Sequence, residues 1–251
     1  MNKIYNENCL DTMARMKDNF IDLTVTSPPY DGLRTYNGYS FDFESIAKEL
    51  YRTTKEGGVV VWIIGDATIK GSESGTSFKQ ALFFKECGFN LHDTMIWQKP
   101  SVPPTQHNRY QQTFEYMFVF SKGKPKTFNP LKEPSKTVGR IRKTHRSGNN
   151  NHKLNDEGVY VTKAEKTIGN NWTLPICNKK IDHPAKFPEQ LVNNHIISWS
   201  NENDLIYDPF MGSGTTAVAT KLNNRNYLGS ETSLEYCEIA EQRLNNNGTL
   251  F

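Results

Sequence analysis

Apolar positions in the first third of the chain alternate between the spacing of strands and the spacing of helices. Ile21 to Val25 alternates apolar and polar residues, and Val59 to Ile64 is a continuous apolar run typical of a strand buried on both faces. Between them, Phe43 to Tyr51 has helical spacing, and we expect the pair Gly57-Gly58 to end that helix. The pattern therefore predicts a β-α-β unit.

The alternation continues along most of the chain. Further predicted elements are a helix over 78–87 that stops at Gly88, strands over 93–97 and 115–120, a helix over 187–199, a strand over 204–207, a helix over 215–222, a strand over 226–230 and a helix over 234–244. This order predicts an α/β fold of three layers, in which helices cover both faces of a mostly parallel sheet.

One segment, residues 122–182, breaks this rhythm. It contains several prolines and a polar tract at 147–155, and it holds fourteen Lys and Arg against five Asp and Glu, which leaves sixteen basic and twenty-two acidic residues elsewhere. We predict an insert there, between residues 1–121 and 183–251 of one α/β domain. Such a basic segment fits contact with a polyanion or, equally, a solvated charged loop.

Composition narrows the class of protein. The chain has 251 residues, of which 36% are hydrophobic and 23% charged, as in soluble globular proteins. The sequence contains no run of eighteen apolar residues, so it predicts no transmembrane helix. Its first ten residues lack the apolar core of a signal peptide. The four cysteines form no Cys-x-x-Cys pair, so we expect a cytoplasmic protein without a disulfide framework or a metal site.

A glycine-rich motif, Asp208-Pro209-Phe210-Met211-Gly212-Ser213-Gly214-Thr215-Thr216, stands where a predicted strand ends and a helix begins. Its glycines permit a tight turn and close approach to a ligand, and the helix N-terminus offers free N–H groups. Glu231 ends the next predicted strand, where a carboxylate can accept hydrogen bonds from ribose hydroxyls. The pattern indicates a nucleoside cofactor, whereas the structural alternative is a turn that only packs a helix on a strand.

A second motif, Thr26-Ser27-Pro28-Pro29-Tyr30, follows the Ile21–Val25 strand. The prolines fix the backbone and remove N–H donors, so that carbonyl oxygens become rigid acceptors, while Ser27 adds another acceptor and Tyr30 an aromatic face. This set suits an exocyclic amine on a planar base, whose lone pair it would orient toward an electrophile. The simpler interpretation is a Pro-Pro turn.

Together the two motifs resemble the amino-group DNA methyltransferases that use S-adenosylmethionine, and the resemblance covers nearly the whole chain. The catalytic motif precedes the cofactor motif, which resembles the beta class of that family. The resemblance implies a Rossmann-like methyltransferase fold with a seven-stranded sheet, one antiparallel strand and a circularly permuted motif order. It also implies S-adenosylmethionine as cofactor and double-stranded DNA as partner, with a homodimer and a cognate restriction endonuclease as open expectations.

The resemblance also implies residue roles. Ser27 and the Pro28 carbonyl, followed by Pro29, would accept the amine hydrogens, and Tyr30 would stack on the base. The residues implied at the cofactor are Asn8, Cys9, Lys186, Phe187, Asp208, Pro209, Phe210, Gly212, Gly214, Thr215 and Glu231. Asn8 replaces the aspartate that relatives place near the adenine, and Lys186 and Phe187 would close the methionine side.

The target base must be flipped out of the duplex, which costs a few kcal/mol and requires phosphate and groove contacts. The candidate DNA contacts are Arg34 in the stretch after the catalytic motif and, in the insert, Arg140, Arg142, Lys143 and Arg146. Serine at position 27 resembles the cytosine-N4 branch, which we favour over adenine N6. Methylation of RNA or of a protein amide, and a non-catalytic DNA-binding module, remain as alternatives.

Overall fold

The computed structural model describes residues 2–29, 41–102, 108–143, 159–175 and 188–246, and of residues 142, 143, 159 and 160 it describes the backbone alone. The strands are β1 (Lys3–Asn6), β2 (Ile21–Thr26), β3 (Thr54–Ile64), β4 (Thr68–Ile69), β5 (Ser72–Glu73), β6 (Asn90–Gln98), β7 (Phe114–Ser121), β8 (Lys132–Pro134), β9 (Ile141–Lys143), β10 (Val159–Val161), β11 (Glu165–Thr167), β12 (Asn171–Thr173), β13 (Leu205–Asp208) and β14 (Asn226–Glu231). The helices are α1 (Cys9–Ala14), α2 (Phe43–Thr53), α3 (Thr76–Glu86), α4 (Glu189–Trp199), α5 (Thr215–Leu222) and α6 (Leu234–Asn245). No described helix has the length and apolar character needed to cross a membrane.

A single large sheet organises the main unit, residues 1–129 and 170–251. Its strand order is β1-β14-β13-β2-β3-β7-β6-β12, and only β7 runs antiparallel to its neighbours β3 and β6. The predicted mostly parallel α/β sheet with one antiparallel strand is therefore confirmed. The carboxyl ends of β1, β14, β13 and β2 lie at one edge, because these four neighbours are all parallel.

Helices cover both faces of this sheet, as the alternation of side chains along β7 illustrates. Phe118 and Phe120 pack into a buried cluster with Phe84 of α3, and that cluster also contains residues of α1 and α2. Met117 points to the opposite face, where its sulfur lies 3.3 Å from His195 Nε2 of α4. A separate buried cluster joins α5 and α6 to Ile4 of β1.

The structure corrects two details of the sequence-based fold. The sheet has eight strands instead of seven, because residues 171–173 of the predicted insert pair with β6 in parallel. The helix α2 ends at Thr53, and Gly57-Gly58 lies inside β3 instead of ending the helix. The glycines lie where β3 is irregular, because its pairing with β2 shifts register between Ile21–Thr54 and Leu23–Val59. Glycine is needed at position 58 because a Cβ there would lie 2.9 Å from the Lys55 carbonyl oxygen.

Part of the basic segment forms a second compact unit, residues 130–169. This unit contains two antiparallel pairs, β8 with β11 and β9 with β10. Residues 122–129 and 170–175 belong to the main unit, so the compact part is shorter than the predicted insert. Its role in recognition stays a prediction.

We expect the buried histidine of α4 to make the fold sensitive to acid. The ring of His195 is 0% exposed, and its Nδ1 has no hydrogen-bond partner among the described residues. Burial lowers the pKa of His195 to about 3 from its ordinary 6.5. Between these values the unfolded chain binds more protons than the folded one, so stability falls as the pH falls through this window.

Denaturant unfolding of wild type and of His195→Phe from pH 6.5 to 4 measures this contribution. The unfolding free energy of the wild type should drop relative to the variant by about 1 kcal/mol per pH unit. Burial raises the pKa of Asp208 to about 6, so its contribution to the unfolding free energy increases as the pH falls. Asp208 is present in both proteins, and its contribution therefore cancels in the difference between them. His92→Phe, at an exposed histidine, is the control. Parallel pH curves for wild type and His195→Phe would contradict the prediction.

Candidate active site

The predicted site segments meet at the carboxyl edge of the sheet. Ser27 to Pro29 follows β2, the glycine loop 209–214 follows β13, Glu231 ends β14, and Asn8 follows β1. In open α/β sheets this edge is where ligands bind. The structure therefore brings together motifs that lie at opposite ends of the chain.

The carboxylate of Asp208 connects two of these segments. Its Oδ1 accepts hydrogen bonds from Thr26 Oγ1 at 2.6 Å and from the Phe210 N–H at 3.0 Å, and its Oδ2 accepts one from Thr216 Oγ1 at 2.6 Å. Asp208 is 1% exposed, and burial raises its pKa to about 6 despite these three donors. The sequence assigns Asp208 to the cofactor, and among the described residues its carboxylate also connects the segment before Ser27 to the glycine loop and to α5.

The glycine loop turns from β13 into α5 through two residues with positive φ, Gly212 at 51° and Gly214 at 83°. A Cβ on Gly214 would lie 2.6 Å from the Cβ of Ala240 in α6. The requirement for glycine at 214 therefore comes from the packing of α6 as well as from the backbone conformation. Thr215 opens α5, whose N-terminal N–H groups face the end of the loop.

Glu231 is held beside this loop by two backbone donors. Its Oε2 accepts the Gly212 N–H at 2.8 Å, and its Oε1 accepts the Ser233 N–H at 2.9 Å. Each oxygen keeps a second lone pair, so the half-buried carboxylate can still accept from two adjacent hydroxyls. This acceptor chemistry fits the hydroxyl groups of a ribose, which the sequence predicts at this position.

Asn8 and Cys9 lie at the start of α1. Asn8 is the N-cap, and its Oδ1 accepts the Leu10 N–H at 2.9 Å. The Asn8 oxygen therefore caps α1, and its second lone pair can still accept a hydrogen bond from a ligand. Cys9 is buried, and burial raises the pKa of its thiol to about 12, so it is a neutral packing residue at ordinary pH.

The Ser-Pro-Pro-Tyr motif, predicted to be catalytic, is described up to Pro29. Ser27 and Pro29 are half-buried and Pro28 is buried, directly after the last paired residue of β2. Five of the predicted site residues lie outside the described residues: Tyr30, Arg34, Arg146, Lys186 and Phe187. Arg140 is exposed in the second compact unit, and the side chains of Arg142 and Lys143 also lie outside the description.

The structure adds residues that sequence reasoning missed. Arg243 of α6 donates to the Ser213 carbonyl at 2.6 Å and to Thr215 Oγ1 at 3.2 Å, and it pairs with Glu189 of α4 at 2.8 Å. Thr26 and Thr216 stand inside the quoted motifs and carried no assigned role. Arg243 follows the glycine loop by about thirty positions, and no local pattern marks it.

Comparisons with known proteins agree with this arrangement. A family model described as DNA methylase matches residues 21–242. The orphan methyltransferase M.BamHII of Bacillus amyloliquefaciens is 56% identical over 247 residues, covering 92% of each chain. The fold is similar to that of PvuII DNA methyltransferase, a cytosine-N4-specific enzyme, with a TM-score of 0.73 and 22% identity over 100% of this chain and 89% of that one. It is also similar to TTHA0409 of Thermus thermophilus complexed with S-adenosyl-L-methionine, with a TM-score of 0.68, 21% identity and coverage of 100% and 98%.

Replacement of Gly214 tests whether packing makes glycine necessary in the loop. We expect Gly214→Ala to lower the unfolding free energy by about 3 kcal/mol, from the positive φ and from the overlap with Ala240. Gly71→Ala is the matched control, because Gly71 has φ +81° and nothing within 4 Å of the added Cβ. That variant should lose only about 1 kcal/mol. Equal losses in denaturant unfolding would show that packing on α6 contributes nothing.

Proposed function

Because this chain belongs to the DNA methylase family, we propose that it methylates the exocyclic N4 of cytosine in double-stranded DNA at specific sites. Adenine N6 is the alternative target within the same class. The observation that carries the proposal is the meeting of the Ser27-Pro28-Pro29 segment and the glycine loop at one edge of the sheet, joined through Asp208.

S-adenosylmethionine supplies an electrophilic methyl group, and the residues at the edge fit it. The backbone of the glycine loop and the N-terminus of α5 would hold its polar groups, Glu231 would accept from its ribose hydroxyls, and Asn8 would lie near its adenine. From the resemblance, Lys186 and Phe187 would close its methionine side. The closeness of Glu231 to Gly212 supports this assignment, because one ligand can reach both.

Ser27 and the Pro28 carbonyl would bind the target amine. Two acceptors facing the two amine hydrogens orient the nitrogen lone pair, which is otherwise delocalised into the ring. The proline ring holds the Pro28 backbone in place, so little reorganisation accompanies the reaction. From the resemblance, Tyr30 would stack on the base. The methyl group would pass directly from the sulfonium to the amine nitrogen, with the S–C bond breaking as the N–C bond forms. The amine would then lose a proton to solvent, so no strong base would be required.

The target nitrogen lies within the base stack of a duplex, so the base must be flipped toward Ser27. We propose that the basic segment holds the duplex, with Arg140, Arg142, Lys143 and Arg146 on phosphates or guanine edges, and that Arg34 assists near the flipped base. Subunit association is a further expectation. The orphan designation of the relative from Bacillus amyloliquefaciens favours action without a cognate endonuclease.

Mass spectrometry of nucleosides tests the reaction. DNA of varied sequence is treated with the purified protein and S-adenosylmethionine, and N4-methylcytosine is the expected product. N6-methyladenine instead would retain the mechanism and reverse the base assignment. Ser27→Ala should reduce turnover on the order of 10²-fold, because it removes one of two acceptors. DNA without either modified base would overturn the proposed activity.

Calorimetry tests the cofactor assignment separately. Glu231→Gln replaces one carboxylate oxygen by an amide donor, which loses a charged acceptor and opposes the N–H group of Gly212 or Ser233. We expect the dissociation constant for S-adenosylmethionine to rise at least 10-fold. Glu235→Gln, at an exposed carboxylate on the first turn of α6, should leave it within twofold. Unchanged binding by Glu231→Gln would contradict the ribose assignment.

A further inference from the structure

The backbone pairing between β2 and β13 stops before the site begins. The two strands are paired at Ile206–Leu23 and Tyr207–Thr24, and Thr26 and Asp208 lie beyond these pairs. There Thr26 Oγ1 donates a hydrogen bond to Asp208 Oδ1 at 2.6 Å. Beyond their paired residues, the two strands are therefore joined by a side-chain hydrogen bond.

The same carboxylate holds the glycine loop and the helix that follows it. Besides Thr26, it accepts from the Phe210 N–H in the loop and from Thr216 Oγ1 in the first turn of α5. Among the described residues no cation pairs with Asp208, so hydroxyl and amide donors alone stabilise its buried charge. Such charge-assisted bonds are short and directional, and they fix the positions of their donors.

We propose that Thr26 is a positioning residue whose hydroxyl, held by Asp208, fixes the Ser27-Pro28-Pro29 segment relative to the glycine loop. This inference rests on the proposed function. It adds a means by which the segment that binds the target amine is held in a fixed position relative to the loop that binds S-adenosylmethionine. Thr26 directly precedes Ser27, so a shift of its backbone carries Ser27 with it. Misplacement of a reacting group by about 1 Å costs on the order of 10²-fold in rate.

The chain contains a matched control on the same strand. Thr24 lies two residues earlier and therefore on the same face of β2; it is 0% exposed, and its hydroxyl has no partner among the described residues. Thr24→Val and Thr26→Val make the same chemical change at equally buried sites, and they differ in whether a hydrogen bond to Asp208 is lost. Thr26→Ser keeps that hydroxyl and loses only a methyl group.

Turnover and cofactor affinity are measured for the full chain at pH 8. We expect Thr26→Val to lose 30- to 100-fold in kcat, while its dissociation constant for S-adenosylmethionine stays within threefold of wild type. Thr26→Ser should recover kcat to within threefold, and Thr24→Val should behave as wild type. If Thr26→Val does not fold, Thr26→Ala, which adds no bulk, is compared with Thr26→Ser in the same way.

A second measurement does not depend on turnover. Amide exchange at Thr26 and Ser27 is followed by NMR with and without S-adenosylmethionine. Binding should slow this exchange at least threefold in wild type and Thr24→Val, and it should have little effect in Thr26→Val, because the connection to the loop is cut. Equal slowing in both valine variants would overturn the positioning role.

The outcomes separate this inference from the proposed function. A wild type that methylates no DNA overturns the proposed function, and the exchange measurement still decides whether Thr26 connects the two segments. Turnover of Thr26→Val within threefold of Thr24→Val overturns the role of Thr26 and leaves the DNA methyltransferase activity standing. A parallel loss of kcat and cofactor affinity in Thr26→Val would make Thr26 part of the cofactor site instead.

Discussion

The arrangement of the site depends on one buried carboxylate. Asp208 ends a central strand, and its two oxygens accept from Thr26, from Phe210 and from Thr216. A charge in this position is costly unless donors surround it, and here the donors come from both motifs. These donors reduce the cost of burying the charge of Asp208 only when β2 and the glycine loop are in their places. The hydrogen bonds to Asp208 therefore favour the arrangement in which β2 and the glycine loop lie side by side.

Around this carboxylate, the loop is stabilised from its other side by helix packing. Gly214 lets α6 approach closely at Ala240, and Arg243 of the same helix binds the Ser213 carbonyl. Arg243 is in turn paired with Glu189 of α4, at a largely buried position where screening by water is weak. The glycine loop is therefore held by the folded core, which favours a loop that is preorganised over one that forms on binding.

The elements that local patterns predicted well are those with long apolar runs. The apolar run from Val59 to Ile64 correctly predicted part of the central strand β3. The glycine motif correctly predicted the junction of β13 and α5. The prediction that Gly57-Gly58 ends α2 is wrong, because glycine pairs are common at helix ends but these two lie in an irregular part of β3 beside β2. Strand β12 has three residues, too few to produce a periodic pattern, and only its pairing with β6 makes it part of the sheet.

The α/β class and the positions of the two motifs follow from the sequence alone, because strand periodicity, glycine freedom and proline rigidity are local properties. The tertiary structure alone decided that Thr26 and Asp208, which are 182 positions apart, share a hydrogen bond. It also decided that Asn8 serves first as a helix cap and that Arg243 anchors the loop. Contacts between distant side chains leave no periodicity in the chain, since they arise only when the parallel sheet brings the ends of its strands to one edge.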